Sequence, residues 1–245
     1  MKINISILII VLLPMVCKGQ TDVIIPPEFV ETNQPKVGSD DWFSLNHSNH
    51  ECAVLNVNGK LEIVRPSKIR KSQNPADDCT CKLKIKDGTL KGNNRGEWGG
   101  ELYYEPDNVK KLNTNIKKGN IKYIFEHNEK LYFIEGLAHL TTSNGALYEL
   151  SRTGKNFTFK KIYDFEDAPE VFTYLNGKML IAGSENFYVL DNLKKELVFQ
   201  KMFWDGLYPN SIAIFDEKNV FVGIRSGIVR LDLIEKKATF FKKTN

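Results

Sequence analysis

Leu102-Tyr103, Leu147-Tyr148, Phe187-Tyr188 and Ile228-Val229 are four copies of one short apolar stretch, spaced by 45, 40 and 41 residues. Gly100, Gly145 and Gly227 stand at or just before three of the copies, and Gly183 lies a little further ahead of the Phe187 copy. Self-similarity at a period of about 40–50 residues marks a stack of repeated structural units, each too small to bury its apolar face alone.

Outward from these copies, the chain divides into runs of strand character. The Leu147 unit has apolar or alternating runs at 121–125, 131–134, 146–150 and 157–162. The next has 171–175, 179–182, 187–190 and 197–202, and the last has 212–215, 220–222, 228–233 and 238–241. Short turns such as Asn176-Gly177 and Asp216-Glu217 join them, and no stretch keeps a helical period. Four strands per unit predict an all-β chain and a β-propeller of five blades, each of four antiparallel strands. Three blades are clear, the Leu102 unit is a fourth, and residues 42–81 form an irregular first unit of a domain spanning 42–245. In that first unit, Asn58-Gly59 is a hairpin signal, because both residues tolerate the positive φ of a type I′ turn. Its register is open. Leu61 lies 41 residues before Leu102, yet Asn58-Gly59-Lys60 also matches Asn176-Gly177-Lys178, one strand earlier in the repeat.

Phe187-Tyr188-Val189-Leu190-Asp191 and Ile228-Val229-Arg230-Leu231-Asp232 resemble the strand endings of diverged bacterial propeller repeats, in the broad WD-repeat, YVTN-repeat and quinoprotein-like group. The resemblance covers about residues 82–245. The Trp-Asp, Tyr-Val-Thr-Asn and paired-glycine signatures of particular families are absent, so no family's functional residues carry over.

Ahead of the repeats, residues 1–19 read as an export signal. Lys2 is followed by an almost wholly apolar run over 3–16, too short for a comfortable membrane span, and Cys17-Lys18-Gly19 offers small residues for cleavage before Gln20. This predicts a secreted or periplasmic protein. A second reading is a lipoprotein anchored through Cys17. Residues 20–41, with Pro26-Pro27 and Pro35, read as an extended tether, possible closing strand included. No other segment is apolar enough to span a bilayer.

The formal net charge is +4, from 34 Lys and Arg against 30 Asp and Glu. The basic residues are dispersed. The tail Lys236, Lys237, Lys242 and Lys243 alternates with Phe240 and Phe241 as a lysine-guarded edge strand does. No basic stripe speaks for nucleic acid.

Chemistry-bearing residues gather in two places. His47, His50 and Cys52, with Cys79 and Cys81, combine imidazole and thiol groups. In an oxidising compartment Cys52 pairs with Cys79 or Cys81, leaving an odd thiol, or Cys79 bridges Cys81. A tetrahedral zinc site is the alternative, though five ligands are one too many and the spacing is not that of a finger. The expectation is therefore a disulfide, with no metal and no cofactor.

The second gathering is on loops. Asn93 to Glu101 packs three glycines, two amides, an arginine, two carboxylates and Trp98 into nine residues. In a four-stranded blade the loops between second and third strands (93–99, 137–144, 184–186, 225–227) share a face with the inter-blade links (163–170, 203–211). That face collects Arg95, Glu97, Trp98, His139, Asn144, Asp167, Trp204 and Tyr208 as candidate ligand-binding residues, with Thr142, Asp164, Asp205 and Arg225 beside them. The mixture of aromatic and polar groups suits a protein or glycan ligand on a monomer. No nucleophile is placed by any motif, so no catalytic residue is assigned. The enzymatic rival is a glycoside hydrolase in which Glu97 or Glu101 works with Asp164, Asp167 or Asp205.

Overall fold

The computed structural model describes residues 23–67, 80–108, 110 and 112–244. In chain order these form a strand β1 (Phe29–Thr32), a short helix α1 (Asp40–Asn46) and a hairpin of β2 (Ala53–Val57) and β3 (Lys60–Val64). There follow β4 (Cys81–Ile85), β5 (Gly88–Gly92), β6 (Glu101–Pro106) and β7 (Thr114–Lys118); β8 (Ile121–His127), β9 (Lys130–His139), β10 (Thr142–Thr153) and β11 (Asn156–Phe165). The chain ends in β12 (Pro169–Leu175), β13 (Lys178–Gly183), β14 (Phe187–Asp191) and β15 (Lys194–Phe199), then β16 (Ser211–Asp216), β17 (Asn219–Ile224), β18 (Gly227–Asp232) and β19 (Lys237–Lys243).

The strands from β4 onward make four antiparallel, four-stranded sheets in which every strand pairs with its sequence neighbour. The recurring stretch is the third strand of each. Leu102, Leu147, Phe187 and Ile228 are all fully buried. The glycines of the repeat are there because a side chain has no room. A Cβ on Gly100 would lie 2.1 Å from the Asn93 carbonyl, on Gly145 2.3 Å from Pro169 Cδ, and on Gly227 2.3 Å from the Phe241 carbonyl.

The apolar core lies between consecutive sheets, not in one centre. One cluster joins the β4–β7 sheet to the β8–β11 sheet around Leu90, Leu102 and Phe133. A second joins the β8–β11 and β12–β15 sheets around Ile134, Ile181 and Tyr188. The largest joins the β12–β15 and β16–β19 sheets and takes in α1. The last joins the β16–β19 sheet to the β2–β3 hairpin. No core cluster among the described residues joins that hairpin to the β4–β7 sheet, so the arc of sheets is not closed there.

Three expectations need correction. The first unit is a two-stranded hairpin among the described residues, not a four-stranded blade. Its Asn58 and Gly59 have φ of 53° and 80°, as Asn176 and Gly177 have 50° and 79°. Since β2 packs beside β16, as β12 does, the hairpin corresponds to the first two strands of a unit. Second, β19 is not an edge. β1 pairs with it antiparallel, Phe29 opposite Lys243 and Glu31 opposite Phe241, so part of the expected tether is a fifth strand of the last sheet. Third, a helix begins where the tether was expected to end. Ser39 caps α1 by accepting from the Trp42 amide, and Asp40 and Asp41 occupy its first turn, where carboxylates oppose the positive end of the helix dipole. Trp42 and Leu45 then anchor it in the core.

Candidate ligand-binding groove

Four segments build one face. The 93–100 loop is pinned to the entry of the next sheet. Asn120 accepts from the Arg95 amide at 3.2 Å and donates to the Gly96 carbonyl at 2.8 Å, while the Ile121 amide donates to Asn93 O at 3.0 Å. Gly96 and Gly99 take positive φ, letting residues 96–98 close into a 3-10 turn. That turn is tied to the β9–β10 hairpin by Glu97, whose carboxylate lies 3.2 Å from His139 Nε2. The hairpin itself runs longer than expected. Its strands pair up to His139 opposite Thr142, leaving only Leu140 and Thr141 as the turn.

The third segment is the Ser184–Asn186 turn, held from beneath by Asp167. This carboxylate accepts from the Glu185 amide at 2.5 Å, the Asn186 amide at 3.0 Å and Ser184 Oγ at 3.3 Å, and from the Tyr188 hydroxyl. The fourth is the 203–209 link, fastened by α1. Trp42 Nε1 donates to Asp205 O at 3.0 Å, and the Trp42 ring fills the space that a Cβ on Gly206 would need. Tyr208 has φ of 54°, a strained value for a bulky residue, and its ring sits 4.6 Å from the Arg225 guanidinium. Arg225 is fixed in turn by donating to the Asn46 carbonyl at 2.5 Å.

Between these segments lies a cavity of about 770 Å³. His139, Thr142, Ser143, Ser184 and Tyr208 line it, with Glu170, Glu185, Asp205 and Lys122. Lys122 and Glu170 form an ion pair at 2.6 Å. All three carboxyls are held above their ordinary range. Burial is the main cause for Glu170, opposed by Lys122. For Glu185 burial again leads, with Asp205 and Asp167 adding to it. For Asp205 burial outweighs the Gly206 amide, and Asp167 adds to the rise. A carboxyl whose pKa is higher folded than unfolded weakens the fold at neutral pH. Its contribution is fully present below the unfolded value and is lost as pH rises through the folded one. Glu185→Gln is therefore expected to be at least as stable as the wild type near neutral pH. That advantage should shrink as the solution is acidified from about pH 7 to about pH 4. Thermal midpoints of the two proteins across that range check it, and a gap that widens on acidification is the contrary result.

The expected site residues divide sharply. His139 and Tyr208 line the cavity, and Glu97 reaches it through His139. Trp98 is 82% exposed in the same 3-10 turn, and Arg95 beside it is exposed, 3.9 Å from Glu101. Asn144 is exposed on β10, opposite Leu137. Two expectations are overturned. Asp167 is 1% exposed, fully engaged in holding a turn, and Trp204 is 0% exposed in the core between the last two sheets. Neither offers a surface to a ligand. Of the carboxylates weighed for glycoside hydrolysis, Asp205 lines the cavity and Glu97 lies beside it against His139, whereas Glu101, Asp164 and Asp167 are engaged by other partners. Asp164 is held by Lys161 at 2.9 Å, and Glu101 accepts from Asn115 at 2.6 Å. Those that do converge are Glu170, Glu185 and Asp205. The first two carried no signal beyond lying in or beside a link and a loop of the right face.

The histidine and cysteine constellation is dispersed. His47 Nδ1 lies 2.8 Å from the Phe43 carbonyl, and His50 Nδ1 3.3 Å from Ser48 Oγ. Cys52 is a buried free thiol, pushed up to about 11 by burial, and it packs with Phe29, Val54 and Phe221. Cys81 packs with the cluster of the β4–β7 sheet, and the two are not bonded to each other, so of the alternative pairings the one between Cys52 and Cys81 does not form. Among the described residues no group of three or more His, Cys, Asp and Glu is arranged to hold a metal ion. The export signal, Cys17 and Cys79 lie outside the described residues. No helix among the described residues is long and apolar enough to cross a membrane.

No family model matches the chain, and no curated protein matches it. The similarity to solved structures is weak. The computationally designed Ika8 protein is 8% identical with a TM-score of 0.36, over 67% of this chain and 45% of its own. The AtxE2 isopeptidase, with Astexin3-dC4 bound, is 10% identical with a TM-score of 0.36, over 71% and 28%. The N-terminal domain of Nup159 is 8% identical with a TM-score of 0.29, over 77% and 59%. The chain thus spans less than half the length of the first two.

Proposed function

We propose that this protein is a secreted or envelope-associated, monomeric binding scaffold without catalytic activity, which takes a protein or glycan ligand in the groove of its loop face. On this reading the sheets are blades of a five-bladed β-propeller whose first blade is reduced to the β2–β3 hairpin. The apolar run over residues 3–16, behind Lys2, supports export. The observation that carries the function is the cavity of about 770 Å³, to which three sheets and the 203–209 link contribute polar groups around an exposed, conformationally strained tyrosine. Concave sites with a few convergent polar groups are where ligands bind, and strain in an exposed loop persists where it serves a purpose.

Tyr208→Asn tests this cleanly, because asparagine tolerates the left-handed backbone that Tyr208 adopts. Printed glycan and peptide arrays supply the probes. Wild type is expected to bind at least one class saturably, and Tyr208→Asn to bind it about tenfold more weakly or worse at an unchanged thermal midpoint. Tyr208→Phe should retain binding. Equal binding by Tyr208→Asn places the ligand elsewhere and overturns the reading. Hydrolysis of a bound glycan that Glu185→Gln abolishes would establish the hydrolase instead.

A further inference from the structure

A second cavity, of about 580 Å³, lies under the 34–37 segment, and Glu185 and Asp205 line it as well as the first. The two therefore adjoin at these carboxylates, one reaching toward the N-terminal segment at Pro35 and the other toward the β9–β10 turn at Leu140. Either half alone falls within the roughly 300–1,000 Å³ that accommodates a small-molecule ligand. Two adjoining sites of that size suit a chain-like ligand with several units better than a single small molecule.

The charges along the groove cancel. Glu170, Glu185 and Asp205 face Lys36, Lys122 and Lys201, and His139 is already opposite Glu97. Such a groove gives neither a basic peptide nor a polyanion the complementary field that steers and selects charged partners. Glu185, half-buried, makes no hydrogen bond or ion pair with its carboxylate among the described residues. A partly desolvated carboxylate has acceptor capacity for several donors and gains when they arrive. Adjacent hydroxyls of a sugar ring supply two donors at one carboxylate without adding charge. The Ser143 and Ser184 hydroxyls, 2.7 Å apart in the cavity lining, have their protons committed, Ser184 to Asp167 and Ser143 to Ser184, and add acceptor lone pairs for ligand hydroxyls. Tyr208 is 57% exposed at the rim and immobilised by Arg225, so an apolar sugar face stacks on it with little ordering cost.

From these features we infer that the ligand is a linear, uncharged oligosaccharide lying along both cavities, its vicinal hydroxyls donating to Glu185 and Asp205 and one ring stacked on Tyr208. This rests on the groove reading above and names the ligand class for it. The experiment is calorimetric titration of the full chain with gluco-, xylo- and manno-oligosaccharides of two, four and six units. Oligogalacturonate and lysine-rich hexapeptides are run beside them. One neutral series is expected to bind, at least tenfold more tightly as hexamer than as dimer. Glu185→Gln and Tyr208→Asn should each weaken the hexamer at least tenfold. Dimers binding as tightly as hexamers, only charged chains binding, or no neutral series binding each overturn the inference. If a charged chain or a peptide binds and Tyr208→Asn abolishes that binding, the groove reading survives without this ligand class. If whatever binds is indifferent to both substitutions, both fall.

Discussion

Replacing Asp167 by alanine is expected to destabilise the protein by about 4 kcal/mol, because several buried donors lose one acceptor at once. For a chain of this length that corresponds to a thermal midpoint lower by roughly 10 °C. Asp167 accepts from the Glu185 and Asn186 amides, Ser184 Oγ and the buried Tyr188 hydroxyl. Nothing replaces it. Gly183 passes so close that a Cβ there would lie 2.5 Å from the carboxylate, so the site is shaped around this side chain. The hydroxyl of Tyr188 is pushed well above the ordinary phenol range, first by burial and then by its bond to Asp167. Tyr188→Phe alone removes two bonds, the one to Asp167 and the one its hydroxyl accepts from Asn186 Nδ2 at 3.2 Å, and should cost about 1–3 kcal/mol. In the double variant the losses are expected to sum to less than the two single losses together, since both single variants break the same Tyr188–Asp167 bond. Denaturant or thermal unfolding of the three variants measures this. A loss under about 1 kcal/mol for Asp167→Ala would mean that water satisfies the turn and that the carboxylate is not its anchor. The same variant frees the turn that presents Glu185, so weakened ligand binding should accompany the lost stability.

The repeat was readable because its signal is local. Each third strand buries an apolar residue at the same place in the repeat, Leu102, Leu147, Phe187 and Ile228, and glycine recurs beside three of them because Pro169, Asn93 O and Phe241 O leave no space for a Cβ. Hairpin turns were readable for the same kind of reason, since Asn-Gly encodes positive φ within two residues. What was not readable depends on distant pairing. β1 joins β19 across the whole chain, and nothing in Phe29–Thr32 names that partner. α1 is only seven residues long, too short to show a period, and its one local mark was Ser39 followed by two aspartates. At the site, loop membership was legible but orientation was not. Asp167 and Asp205 sit in links to the same face, yet one turns inward to hold a turn while the other lines the groove. Glu185 becomes interesting only once Asp205 and Asp167 are seen to raise it beyond the effect of burial.

Trp204 shows the same limit, and here the sequence and structure lead to opposite experiments. As a rim residue, Trp204 would lose ligand on truncation and keep the fold. As the fully buried centre of the largest core cluster, it should do the reverse. Trp204 packs with Phe203 and Leu207 among residues of α1 and the last two sheets, so a cavity left there loosens the contact between those sheets. Trp204→Ala is expected to cost about 3–5 kcal/mol, the range for truncating a large buried aromatic. Trp204→Phe is expected to cost much less. Its indole Nε1 has no acceptor among the described residues, so phenylalanine removes an unsatisfied buried donor along with some volume, and the two effects oppose each other. Ligand titrations of Trp204→Phe, run well below its midpoint, should give wild-type affinity where Tyr208→Asn gives little or none. If Trp204→Phe instead keeps its midpoint and loses its ligand, the indole reaches the groove, and the binding face extends down into what is described here as core.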